Sequence, residues 1–245
     1  MVSALGELAN YFGQENFSPK IKMWAELIGK QQLHGKTFYT LQTTKMSKLY
    51  FRFGAMNSGK STALLQAAFN YEERSQHVLL AKPAVDSKGD RSIVSRLGVE
   101  REVDFLVRPQ DSLRQLFHHY RQEFQNRTSK PIACLLIDES QFLTEKQVDE
   151  ALEIAVLDDI PVLAYGIRTD FQTKSFPGSR RLMEIAHSLE ELKTICRCGR
   201  KAMFNGRVLN GKFIFDGEQV AIDGDQVTYE SLCAACYLEK KSVKA

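Results

Sequence analysis

The sequence predicts an α/β fold, a parallel sheet with helices on both faces, with a small β unit appended toward its C-terminal end. Three observations carry this expectation. Apolar, strand-like runs alternate with helical segments from Leu49 to Ile167, the order that builds parallel sheets. A glycine-rich turn lies between the first of those strands and the first helix. Beyond about residue 190, two cysteine pairs bracket a stretch rich in Gly, Asn and Asp, the texture of short hairpins.

The elements follow in order. The run 49–53 (LYFRF) reads as a strand, and 61–74 (STALLQAAFNYEER) as a helix with apolar residues at helical spacing. The run 77–83 (HVLLAKP) is a second strand. Residues 84–98 are polar, hold two glycines and lack periodicity, so they read as a long loop. A short strand, 103–107, precedes a helix over 111–124 with Asp111 as its expected N-cap. Residues 131–139 (PIACLLIDE) form a buried strand ending in two acids, with Cys134 inside it. A helix over 144–157 opens on Thr144 as N-cap, and 160–167 (IPVLAYGI) is another buried strand. Residues 1–45 differ in texture. There IKMWAELIGKQQL (21–33) suggests an amphipathic helix packed by Trp24, and Met46 is a plausible start. Either a docking helix or an upstream extension accounts for this segment.

Composition narrows the class. The chain has 245 residues, 43% hydrophobic and 26% charged, enough for one α/β core and a small appendage. A net charge of +3 argues against a dedicated nucleic-acid surface. No stretch approaches the roughly 20 apolar residues that span a bilayer. The first residues lack a basic n-region, and Glu7 and Glu15 count against a transit peptide. A cytoplasmic protein is expected.

The glycine-rich turn, Gly54-Ala55-Met56-Asn57-Ser58-Gly59-Lys60-Ser61, matches G-x-x-x-x-G-K-[ST] in its required strand–helix context. Its glycines let backbone N–H groups curl around a phosphate, and the helix N-terminus adds positive potential. Lys60 can reach the β- and γ-phosphates and Ser61 can ligate Mg²⁺. The motif implies a nucleoside triphosphate, not a particular reaction. The strand ending in Asp138-Glu139, followed by Ser140-Gln141-Phe142, supplies an acid for the Mg²⁺ shell (Asp138) and a second that can take a proton or orient water (Glu139). An acidic pair capping the next helix is the plainer alternative, but Thr144 already fills the cap. No N-K-x-D guanine motif is present, and the remaining length holds no second ATPase lobe.

Cys196-Arg-Cys198 and Cys233-Ala-Ala-Cys236 suit a closed tetrahedral zinc site, with a disulfide or a bare thiol cluster as alternatives. Zinc would fasten both ends of the insert 199–232, making a loop able to serve as a lid. His118 and His119 read as surface or interface residues on an amphipathic helix.

Taken together, these features resemble the type II thymidine kinases, the zinc-containing cellular and bacterial group. The resemblance covers residues 47–238 and rests on FGAMNSGKST (53–62), LIDESQFL (136–143), YGIRTDF (165–171), TICRCGRKA (194–202) and YESLCAAC (229–236). It implies a RecA-like domain with a zinc unit carrying a lasso loop. It implies transfer of the ATP γ-phosphate to the 5′-hydroxyl of thymidine, and of deoxyuridine, in nucleotide salvage for DNA synthesis. Glu139 would be the catalytic base. The phosphate loop, Asp138 and Gln141 would bind ATP·Mg²⁺. Phe142, Phe171 and Tyr229, with Phe176, would line the thymine pocket beside lasso main chain. A homotetramer with feedback inhibition by dTTP is also implied, with neither nucleic acid nor membrane as partner. The chain departs from many members in its C-x-C half-site and in Arg168, where others carry Asp; no role follows for Arg168.

These expectations divide the chain into an extension (1–45), a P-loop kinase domain (46–192), a zinc and lasso domain (193–238) and a tail (239–245). Lys88, Arg91 and Arg96, within 84–98, either close over the triphosphate or stay solvated. The rival reading is a nucleic-acid-stimulated ATPase with a zinc ribbon, since D-E-x-Q also marks helicases. Against it, the insert sets Arg200, Lys201, Arg207 and Lys212 against Asp216, Glu218, Asp223, Asp225 and Glu230, an acidic balance unsuited to a nucleic-acid backbone. A non-catalytic metal-binding module leaves the phosphate loop unexplained.

Overall fold

The structure, a computed structural model, describes residues 28–33, 36–41, 46–84, 91–219 and 227–242. The chain divides into two compact units, residues 1–46 and 47–245. In the first, β1 (Ile28–Leu33) pairs antiparallel with β2 (Lys36–Leu41). The helix expected over 21–33 is therefore corrected from residue 28 onward. Gly29 weakens a helix at that point, and the Thr/Phe/Tyr-rich partner run offers a better strand. Residues 21–27, Trp24 included, lie outside the described residues.

The second unit is built on a six-stranded sheet whose paired strands all run parallel, in the order β10-β3-β9-β8-β4-β7. These are β3 (Leu49–Phe53), β4 (His77–Pro83), β7 (Phe105–Val107), β8 (Ile132–Ile137), β9 (Val162–Gly166) and β10 (Ser188–Glu191). The helices are α1 (Lys60–Glu72), α2 (Leu113–Thr128), α3 (Glu145–Leu157) and α4 (Pro177–Ile185). Alternate residues of the central strands serve opposite faces. Leu79, Ala81, Leu135 and Ile137 pack with α2, α3 and α4 through Phe117, Ile154 and Leu182. Leu80, Cys134, Leu136 and Tyr165 pack with α1 through Leu64 and Ala68. Helices thus cover both faces, as the alternation predicts.

Four sequence expectations change. The loop 84–98 contains β5 (Ser92–Val94), which forms a hairpin with β6 (Glu100–Glu102); residues 85–90 of it lie outside the described set. Its three-residue pairing is too short to leave a periodic trace. Ser112, not Asp111, caps α2 by accepting from the Gln115 N–H, while the Asp111 carboxylate accepts from the Arg108 N–H one turn earlier. Helix α4 was not anticipated, because its nine residues carry Gly178 and Ser179 in the first turn. That glycine has a packing reason: a Cβ there would lie 2.6 Å from the carbonyl oxygens of both Ser140 and Leu143. Strand β10 was also missed. It is a polar edge strand, placed by pairing with β3 and by the Arg52–Glu190 ion pair at 2.7 Å across that register.

Thr144 caps α3 as expected, in a full capping box with Gln147. The C-terminal part holds a two-stranded pair, β11 (Thr194–Ile195) with β12 (Lys201–Ala202), and a three-stranded sheet of order β14-β13-β15. Its strands are β13 (Phe204–Leu209), β14 (Lys212–Ile214) and β15 (Val227–Leu232), followed by α5 (Ala234–Ser242). Asn210-Gly211, both at positive φ, turn β13 into β14, the hairpin that Asn-Gly signals. No described helix is long and apolar enough to cross a membrane.

Candidate active site

The carboxyl ends of β3, β8 and β9 converge on one cavity of about 860 Å³, the position where open parallel sheets hold ligands. Met56, Asn57, Gly59, Lys60 and Ser61 form one wall. Gly59 adopts φ 77°, the left-handed turn that starts α1. The Lys60 ammonium is nearly buried and donates to the Ala55 carbonyl at 3.0 Å. Burial lowers its pKa, opposed by the charges of Glu139 and Asp138. Gly54, Ala55 and Ser58 shape the loop without lining this cavity; Gly54 and Ala55 border a small crevice beside Arg168.

Strand β9 lies between β3 and β8, yet the Ser61 hydroxyl donates to Asp138 Oδ2 at 3.1 Å. Asp138 is 4% exposed, and its Oδ1 is buried without a hydrogen-bond partner among the described residues. Burial, then the neighbouring Glu139 charge, raises its pKa to about 6. An oxygen of this kind, beside a serine hydroxyl and a phosphate loop, fits an Mg²⁺ ion or its water shell. Glu139 follows at φ 49°, a left-handed conformation uncommon outside glycine and frequent at functional sites. Its carboxylate lines the cavity and accepts from the Gln141 amide, whose Oε1 in turn accepts from the Ile167 N–H at 3.2 Å. Gln141 therefore orients Glu139 and ties it to the end of β9. A Cβ on Gly166 would lie 2.7 Å from that Gln141 oxygen.

Phe142, Phe171, Phe176 and Tyr229 line the same cavity. Phe142 meets Phe176 edge-on with centroids 5.4 Å apart. Of the three basic residues in 84–98, Arg96 reaches the cavity, Arg91 donates to the Asp104 carbonyl, and Lys88 lies outside the described residues. His118 sits half-exposed on α2, 3.0 Å from Asp158, and does not line the cavity.

Two residues of β13 were not foreseen. Arg207 is buried, with its guanidinium 3.8 Å from the Phe171 ring centroid. Its Nε donates to the Tyr229 hydroxyl at 3.0 Å, and its Nη1 and Nη2 donate to the carbonyls of Glu218 and Gln219. Asn205, also buried, accepts from the Met56 N–H at 2.7 Å and donates to the Thr169 carbonyl at 2.8 Å. Period-2 alternation places Asn205 and Arg207 on one face of β13, but only the fold turns that face toward the cavity.

The sulfur atoms of Cys196, Cys198, Cys233 and Cys236 lie within 4.8 Å of one another. Four clustered thiols able to reach tetrahedral geometry, with Cys196 and Cys233 buried, suit a closed structural metal site such as zinc. Phe204, Phe215, Leu232 and Tyr237 pack around them, and the Tyr237 hydroxyl donates to the Phe171 carbonyl at 2.7 Å.

Comparison with known proteins points to one family. The family model described as thymidine kinase matches residues 47–237. A thymidine kinase of Legionella pneumophila (strain Paris) is 48% identical over 202 residues, covering 82% of this chain and 92% of that protein. One of Idiomarina loihiensis is 46% identical over 201 residues, covering 81% and 100%. One of Pasteurella multocida (strain Pm70) is 43% identical over 197 residues, covering 80% and 98%.

Proposed function

The chain belongs to the thymidine kinase family, and from that premise we propose how it phosphorylates thymidine: the γ-phosphate of ATP passes to the nucleoside 5′-hydroxyl, giving dTMP and ADP. Deoxyuridine, which presents the same 5′-hydroxyl and lacks only the ring methyl, serves as a second acceptor. The supporting observation is that the phosphate loop, the Ser61–Asp138 pair, Glu139 and an aromatic box meet around one cavity.

In this reading the phosphate loop 54–61 holds the triphosphate through the backbone N–H groups of its cavity-lining residues Asn57, Gly59, Lys60 and Ser61 and through the Lys60 ammonium. Ser61 and Asp138 would hold Mg²⁺, whose charge would offset that of the phosphates. Glu139, oriented by Gln141, accepts the acceptor's proton as the 5′-oxygen bonds to the γ-phosphorus and the bond to the β-bridging oxygen breaks. Transfer of this kind has a loose transition state, so positioning and charge neutralisation supply most of the acceleration. Phe142, Phe171, Phe176 and Tyr229 hold the base, while Asn205 and Gln219 of the cysteine-bracketed segment help close the cavity against water that would otherwise hydrolyse ATP.

Zinc on the four cysteines is a clasp for that loop. The domain division at 46–192 and 193–238, the homotetramer, feedback inhibition by dTTP and a cytoplasmic location complete the proposal. ADP release with ATP·Mg²⁺ should respond to thymidine and not to cytidine, purine nucleosides or single-stranded DNA. Glu139→Gln should lower kcat by about 10²-fold or more while ATP binding persists; undiminished turnover in that variant would remove Glu139 as the base.

A further inference from the structure

Asn205 occupies an unusual place: one buried amide spans two walls of the cavity. Its oxygen accepts from the N–H of Met56, in the middle of the phosphate loop, and its nitrogen donates to the carbonyl of Thr169, two residues before Phe171 in the aromatic box. The residue directly across the sheet is Ser231, whose hydroxyl donates to the carbonyl of the same Met56. The Met56 backbone is therefore held at both its N–H and its C=O by a cross-strand pair of the C-terminal sheet. Thr194 adds a weaker hydroxyl contact to the Asn57 carbonyl at 3.4 Å. At 3% exposure Asn205 has little water available to replace either partner, so moving one wall strains or releases the other.

We propose that Asn205 is a positioning residue that couples the phosphate loop to the nucleoside pocket, so that nucleotide and nucleoside each change the other's affinity. The proposal rests on the kinase reading above. Nucleotide phosphate on the loop fixes the Met56 peptide. The Asn205 amide carries that constraint to Thr169, and so to the backbone leading into Phe171. By linkage, nucleoside in the aromatic box must favour nucleotide by the same factor.

The test is calorimetry on the full chain with its metal bound, using a non-hydrolysable ATP analogue with Mg²⁺, with and without saturating thymidine. The wild-type chain should bind the analogue about fivefold or more tightly with thymidine present, the lower range of measured couplings. In Asn205→Ala the two affinities should converge to within about twofold. Asn205→Asp keeps an acceptor for the Met56 N–H but has no donor for Thr169. Its carboxylate beside the phosphate loop should weaken the analogue with and without thymidine alike, while the ratio of the two affinities falls to within about twofold, a loss of coupling that charge repulsion alone would not produce. It also decides the matter if the alanine variant fails to fold. Coupling that survives in either folded variant, or is absent from the wild-type chain while both ligands bind, overturns the proposal. Failure of the wild-type chain to bind thymidine or the analogue at all would instead overturn the kinase reading.

Discussion

Asp138 holds a carboxyl oxygen that no group among the described residues satisfies, and burial makes its ionisation costly in the metal-free protein. Its folded pKa of about 6 lies above the ordinary 3.8. The fold therefore binds this proton more tightly than the unfolded chain does, and the metal-free protein loses stability as pH rises from about 4 to about 6. Asp138→Asn should then raise the Tm of Mg²⁺-free protein at pH 7.5, with the gain vanishing near pH 4; thermal denaturation at the two pH values checks this. In the wild-type chain, proton and Mg²⁺ compete for the same carboxylate. Affinity for Mg²⁺·nucleotide should fall as pH drops through about 6. Arg207 makes a complementary case, since its five contacts join two pocket aromatics to the carbonyls of Glu218 and Gln219. Removing a charged donor costs about 1.5–3 kcal/mol per hydrogen bond. Arg207→Ala should raise the thymidine KM by about tenfold or more, with nucleotide affinity nearly unchanged, as steady-state kinetics and calorimetry would measure.

Elements were legible in proportion to how local their causes are. The capping box of α3 is written within four residues, Thr144 to Gln147, and could be read directly. Thr144→Ala should cost about 1 kcal/mol in a urea unfolding experiment without altering thymidine affinity, because the cap lies at the start of α3 and outside the cavity lining. The cap of α2 was misassigned by one residue because Asp111 and Ser112 are both good cap formers. Which of them meets the Gln115 N–H depends on the preceding turn, where Asp111 is held by Arg108. Strand β10 is short and polar, and helix α4 is only nine residues long and opens on Pro177, Gly178 and Ser179, so neither gives a strong local signal. Each is placed by a long-range partner: Arg52 for β10, and the backbone around Ser140 against Gly178 for α4.

Across the molecule, the cysteine-bearing part supplies one side of the cavity through β13 and β15, and the α/β part supplies the other. The four thiols join the segment entering β12–β14 to the helix after β15. If zinc occupies them, elemental analysis should find one ion per chain. Stripping it with a strong chelator should abolish thymidine binding while far-UV circular dichroism keeps most of its helical signal, since α1 to α4 pack on a separate core. Unchanged thymidine affinity after complete metal removal would dismiss the clasp.

The amino-acid sequence alone determined what short segments can encode: the strand–helix alternation, the phosphate loop, the acid pair at the end of β8 and the spacing of the cysteine pairs. Each depends on neighbours a few residues apart, so backbone geometry and side-chain chemistry appear together in the sequence. Only the tertiary structure decided that Asn205 meets Met56 across 149 positions, that Arg207 lies on the Phe171 ring, and that Ser61 reaches Asp138 past an intervening strand. In the linear chain these were an ordinary strand asparagine, one charge among many, and two motifs with no stated distance. Their roles arise from burial and from contacts between distant segments, which come into being only when the sheet is assembled.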